Sequence, residues 1–198
     1  MSSVAITGGA TGSGVITLLA PITNTDSTIT LPDETGTAVT TGSTAVVSQA
    51  MLATNVASNG PAFLATQTSG QSISNSTFTK LQFNTEIFDT NNNYDSSTNY
   101  RFTATIAGYY QINANFAFNG NSSGFVQAQI YKNGAVIIDG SGTSNNTTIG
   151  GKGNAAGVVY LAVNDYIEYF VWQSSGGALT LQSGAGANTF SGAMVRAA

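Results

Sequence analysis

Between Tyr109 and Phe118 the side chains alternate, and that alternation constrains the fold more than any other feature of the chain. Tyr110, Ile112, Ala114, Phe116 and Phe118 fall on one side, while Tyr109, Gln111, Asn113, Asn115 and Ala117 fall on the other. Successive side chains of a strand point to opposite faces. A period of two with one apolar and one mostly polar set therefore describes a half-buried strand. Phe125–Tyr131 repeats the pattern, with Val126, Ala128 and Ile130 on one face. Lys132-Asn133-Gly134 follows. Asn-Gly is the strongest short hairpin signal, because both residues tolerate positive φ. Ala135–Ile138 returns, Gly157–Val163 and Tyr166–Trp172 flank a second turn at Asn164-Asp165, and Phe190–Val195 closes the series.

Strands at short spacing, joined by Gly/Asn turns without helices between them, predict an all-β chain. Its antiparallel sheets should pack as a sandwich or jelly roll. Three zones follow. Residues 1–42 form a β-rich arm with short runs at Val15–Leu19 and Thr28–Leu31. The arm is too small for a core of its own, so it is expected to pack on identical copies or a larger partner. Residues 43–59 make a linker or short stalk. Ser43 or Thr44 is positioned to cap a helix, and Val46, Val47, Ala50, Met51 and Ala53 form a partial apolar stripe; an extended linker is the alternative. Residues 60–198 make the head.

Chemistry is scarce. The chain has no His and no Cys, so a Ser nucleophile would lack its usual base and no thiolate metal site can form. Its five cations, Lys80, Arg101, Lys132, Lys152 and Arg196, are scattered. Nucleic-acid binding needs them clustered, so it is not expected. No apolar run reaches the length of a membrane span, so no membrane insertion is expected. The N-terminus lacks a charged region followed by an apolar core, which implies export by another route, such as release inside a virus particle. No cofactor is expected.

Four further features stand out. Asp89 with Asp95, and Asp165 with Glu168, are the carboxylate pairs close in sequence; a glycosidase needs such a pair, but hairpin and turn chemistry is the favoured explanation of both. Asp89-Thr-Asn91-Asn-Asn93-Tyr94-Asp95 begins like a calcium loop, yet Tyr94 stands where the helix–loop–helix site needs Gly, and Tyr100 where it needs Glu. A looser calcium site on Asp89 and Asp95 is the variant left, against an Asn-rich loop. Sequons at Asn75, Asn121, Asn145 and Asn146 are expected by chance in a chain rich in Asn, Ser and Thr. Tyr169, Phe170 and Trp172 either stack on a ligand or divide between core and sheet surface.

From Pro61 onward the chain resembles the globular head of complement C-one-q, within the tumour necrosis factor-like jelly-roll superfamily. The segments that carry the resemblance are Pro61–Ala65, Phe83–Asp89 with Asn93–Asp95, Arg101–Ala104 followed by Ala107-Gly108-Tyr109-Tyr110, Gly157–Leu161 with Asn164-Asp165, and Phe190–Gly192. The resemblance implies a ten-stranded jelly roll that assembles as a homotrimer and binds rather than catalyses. In that family the outward face of the Gly-Tyr-Tyr strand meets the three-fold axis and is often apolar. Here Tyr109, Gln111, Asn113 and Asn115 would take that place. Such an interface is satisfied by amides or trapped water; otherwise the N-terminal zones share in holding the trimer, or the strand faces the other way. Gly14–Pro21, Thr28–Pro32 and Thr35–Thr37 resemble N-terminal modules of bacteriophage fibre and other virion proteins. Together these resemblances imply a trimeric virion-surface protein, either a short tail fibre or a capsid decoration. Residues 1–42 would bind other virion proteins, and the head would meet a host glycan or protein. A secreted lectin-like head and a carbohydrate-cleaving tailspike are the alternatives; a collagen-like stalk, which would favour the first, is absent from the sequence.

Overall fold

The computed structural model describes residues 59–198, except 121–122, 146–149 and 185. The arm expected over 1–42, and all but the last residue of the linker expected over 43–59, lie outside the described residues.

The head is a two-sheet antiparallel sandwich. Its longer strands are β1 (Ala62–Thr66), β4 (Thr85–Asp89), β6 (Arg101–Thr103), β7 (Gly108–Ala117), β8 (Gly124–Lys132), β9 (Ala135–Asp139), β12 (Lys152–Leu161), β13 (Tyr166–Gln173) and β15 (Thr189–Ala197). Two-residue strands intervene: β2 (Ser72–Ile73), β3 (Thr79–Lys80), β5 (Tyr94–Asp95), β10 (Ser141–Gly142), β11 (Ser144–Asn145) and β14 (Leu179–Thr180). The first sheet runs β10-β12-β7-β15-β1-β4; the second runs β11-β8-β13-β6-β5, with β3 on β13 and β9 on β8. The expected long strands are present, while the ten-strand count becomes fifteen segments because short pieces pair separately along the rims.

The period of two in β7 becomes a sidedness. Tyr110, Ile112 and Phe116 are buried, and Tyr109 and Asn113 are exposed. Inward residues of both sheets make one aromatic-rich core, with Phe63 at its hub. Its ring stacks on Phe102 at 4.7 Å and Tyr94 at 5.2 Å, and meets Phe190 edge-on at 5.1 Å. Such ring pairs contribute about 0.5–1.5 kcal/mol each beyond their buried area.

The turns follow their residues. Asn133 and Gly134 both have positive φ, 52° and 81°, as a two-residue hairpin of the tight mirror-image type requires. Asn164 sits at φ 72° in the second hairpin. At one rim the chain passes from sheet to sheet within five residues: β10 pairs with β12, and β11 pairs with β8. The Gly140 amide donates to the Ala128 carbonyl at 2.9 Å, and the Val126 amide to Thr143 at 3.1 Å. The crossing strand thus closes that edge, which would otherwise be open to pairing with another chain.

Candidate functional site

The outward face of the first sheet holds the expected interface residues. Tyr109, Gln111, Asn113 and Asn115 all project from β7 away from the core, so the strand faces as the sequence predicts. Register then adds neighbours that the sequence did not single out. Ala156, Asn113, Ser191, Leu64 and Phe88 form one row across five strands, and Val158, Gln111, Ala193 and Ala62 form the next. Tyr160 lies opposite Tyr109, their rings 5.5 Å apart. Val158 is 57% exposed and Phe88 46%, so the amide-rich centre is flanked by bare apolar side chains. Between Phe88, Asn113 and Ala193 lies a shallow depression of about 190 Å³.

The central amides are partly partnered within the protomer. Gln111 donates through Nε2 to Asn113 Oδ1 at 3.0 Å. Asn115 donates through Nδ2 to the Ala187 carbonyl at 3.0 Å and accepts from the Thr189 hydroxyl. Gln111 Oε1 and Asn113 Nδ2 form no hydrogen bond among the described residues, so whatever covers this face must bring a donor to the first and an acceptor to the second.

The carboxylates noted in the sequence hold turns. Asp89 accepts the backbone N–H groups of Asn91 at 3.2 Å and Tyr94 at 2.7 Å. Asp95 accepts those of Ser97, Thr98 and Asn99, along with the Asn99 amide at 2.7 Å. The Thr98 and Ser97 amides hold the Asp95 carboxyl well below the usual carboxylate range. No group of three or more acidic, His or Cys side chains assembles among the described residues, so Asp89 and Asp95 gain no third acidic ligand there. Beside them, Glu86, Ser96, Thr103 and Thr105 line an open polar cleft of about 470 Å³, where Ser96 donates to Glu86 at 2.5 Å.

Asp165 and Glu168 pair with different lysines. Lys132 Nζ lies 2.8 Å from Asp165, and Lys80 Nζ lies 2.9 Å from Glu168. Lys80 also donates to the Asn99 carbonyl at 2.9 Å. Each acid is thus tied to its own cation on the sheet, an arrangement of structural ion pairs rather than of an acid and a nucleophile facing a shared groove.

The aromatic run Tyr169-Phe170-Trp172 divides. Tyr169 is fully buried, while Phe170 and Trp172 lie on the outward face of the second sheet. Register sets Phe170 opposite Gln129 and Trp172 opposite Gln127. Tyr131, two residues along β8, brings its ring to 4.1 Å from Phe170. The sequence signalled the rings but not the β8 and β9 partners that register places beside them.

No protein-family model matches the chain, and no curated protein does. Solved structures do. The globular domain of zebrafish complement 1qA protein superposes with a TM-score of 0.50 at 15% identity, covering 70% of this chain and all of that one. Murine APRIL gives 0.51 at 11% identity, covering 68% and 98%. Eiger TNF from S. frugiperda gives 0.52 at 8% identity, covering 69% and 93%. The head therefore has the jelly-roll fold of complement and tumour necrosis factor heads.

Proposed function

We propose that this chain is a homotrimeric surface protein of a bacteriophage particle, with residues 60–198 as the outward binding head and residues 1–42 attaching it to other virion proteins. The observation that carries the trimer is the outward face of the first sheet. Val158, Tyr160, Phe88 and Leu64 surround amides of which Asn115 is paired at both ends and Gln111 and Asn113 at one end each. A second and a third copy covering that face would remove the apolar flanks from water, with the free Gln111 Oε1 and Asn113 Nδ2 to be paired across the contact. Cyclic symmetry lets one patch serve every copy.

The particle reading draws on the resemblance of residues 14–37 to phage modules and on an N-terminal zone too small for its own core. Binding is the work that suits this head. The acids weighed for catalysis serve turns and ion pairs instead. Imaging intact particles tests the reading. A few dozen copies or fewer at the tail, in multiples of three, identify a short tail fibre, and hundreds over the capsid identify a decoration protein. Absence from any particle overturns the virion reading in favour of a secreted binding head.

A further inference from the structure

We infer that the outward face of the second sheet is a saccharide-binding site for a neutral pyranose, built on Trp172, Phe170 and Asp139. The inference deepens the reading of this domain as a binding head by naming the surface and the ligand class.

Two rows across β13, β8 and β9 assemble the site. Trp172 lies opposite Gln127, Phe170 opposite Gln129, and Gln129 opposite Asp139. The polar members form a chain. Tyr131 donates its hydroxyl to Gln129 Oε1 at 3.1 Å, and Gln129 donates through Nε2 to Asp139 Oδ1 at 2.5 Å. Gln127 reaches the same oxygen at 3.5 Å. The Gln129 amide is therefore committed at both ends and serves to aim the carboxylate. Among the described residues, Asp139 forms no ion pair and its Oδ2 accepts no hydrogen bond. The result is an exposed, oriented acceptor on β9, separated from the two rings of β13 by the Gln127 and Gln129 amides of β8.

A pyranose has the matching anatomy, with an apolar C–H face and hydroxyl donors around its edge. The C–H face covers the Trp172 indole, and adjacent hydroxyls donate to Asp139 Oδ2 and Gln127 Oε1. A few fixed polar groups beside aromatic surface give orientation and specificity in this way. Charge selects among sugars. Glu168 is neutralised by Lys80, and Asp139 is a carboxylate of this face without a countercharge among the described residues. Anionic sugars are repelled and neutral ones accepted. Phe125, 66% exposed and two residues before Gln127 on the same side of β8, lengthens the strip for a further sugar ring. The face lies on the opposite sheet from the proposed trimer contact, so three copies would stay accessible. Trivalent engagement would then raise a weak single contact by about 10²–10⁴-fold.

Trp172 is the chain's single tryptophan, so its fluorescence reports on this face alone. The full chain is titrated with the methyl glycosides of glucose, galactose and N-acetylglucosamine, and with N-acetylneuraminic acid as the anionic control. The expected result is a saturable emission change with at least one neutral sugar, half-complete near about 1 mM, and none with the acid. Asp139→Asn and Gln127→Ala, checked for folding by circular dichroism, should each weaken the response about tenfold or more, a loss of about 1.4 kcal/mol. A flat signal with all three neutral sugars overturns the inference. So does an equal response to the acid, or one that both variants leave unchanged. Light scattering on the same samples reads the trimer separately. A trimer without a sugar response sinks this inference alone, and a monomer with one sinks the assembly alone.

Discussion

Lys132 holds its ammonium 2.8 Å from Asp165 Oδ2, joining the end of β8 to the turn before β13. Asn133 donates to the other carboxylate oxygen at 2.6 Å, and the Ala162 amide donates to Oδ2 at 2.8 Å. Led by the Lys132 and Asn133 hydrogen bonds, these contacts lower the Asp165 carboxyl from 3.8 to about 2. A group lowered on folding adds stability above its unfolded value, and the gain is lost as pH falls toward the folded value. Asp95, also held low, acts in the same direction. With no His or Cys, only the amino terminus titrates near neutrality. Thermal unfolding should therefore be level from about pH 5 to 9 and fall between about 3.8 and about 2. Asp165→Asn should shallow that acid limb. A decline already under way at neutral pH would show that other groups govern the profile.

Tyr169 carries a hydroxyl that the core does not satisfy. Its ring packs against Phe83, Phe116 and Phe190, yet the oxygen has no hydrogen-bond partner. Burial pushes its ionisation far above the ordinary range, so the group stays neutral. Tyr110 is the contrast, since its hydroxyl donates to the Ile106 carbonyl at 2.7 Å. An unpaired buried hydroxyl costs about 1–3 kcal/mol, whereas a made bond contributes about 0.5–1.5 kcal/mol. Tyr169→Phe should leave stability unchanged or raise it, while Tyr110→Phe should lower it by about 1 kcal/mol. Urea denaturation of both variants measures the difference. A loss in Tyr169→Phe as large as in Tyr110→Phe would mean that a trapped water bonds the hydroxyl.

How much of this was legible in the sequence depends on how local the cause is. The sidedness of β7 and the Asn133-Gly134 turn were readable, because alternation and positive φ belong to the residues themselves. The start of β12 at Lys152 was not: Gly153, Asn154, Ala155 and Ala156 have little strand preference, and their ladder with Ala117 through Asn113 makes them a strand. The two-residue strands likewise exist through distant partners. The sites divide in the same way. Gln111 and Asn113 were visible on their own strand, but Val158 and Phe88 join them only through register. Asp139 meets Gln129 across a pairing with a bulge at Ile130/Tyr131, which no local pattern reveals.

Gly142 is where the crossing rim is tightest. A Cβ there would lie 1.6 Å from the Val126 carbonyl oxygen, which is backbone and cannot swing aside. Overpacking costs typically about 1–3 kcal/mol, and a backbone clash belongs at or beyond the upper end. Gly142→Ala should lower the melting temperature by several degrees. Gly177→Ala, with nothing within 4 Å of the added carbon, should stay within about 0.5 kcal/mol of the parent. Equal melting temperatures for the two variants would show that the rim gives way freely.

Val158 offers the most direct test of the proposed assembly. It projects from β12 opposite Gln111 and is 57% exposed in the single protomer. A charge placed there costs little while the face is wet, so Val158→Asp should keep the fold of the head. Covered by neighbours around a three-fold axis, each carboxylate would lose its hydration, at an effective cost of several kcal/mol per ion, and the three would repel one another. Light scattering at micromolar concentration should therefore give a trimer for the parent and a monomer for the variant, with superimposable circular dichroism. The parent's melting temperature should rise with protein concentration and the variant's should not, because only an assembling chain is stabilised by mass action. A variant that remains trimeric would move the contact off this sheet face, and a parent that is monomeric would remove the trimer altogether.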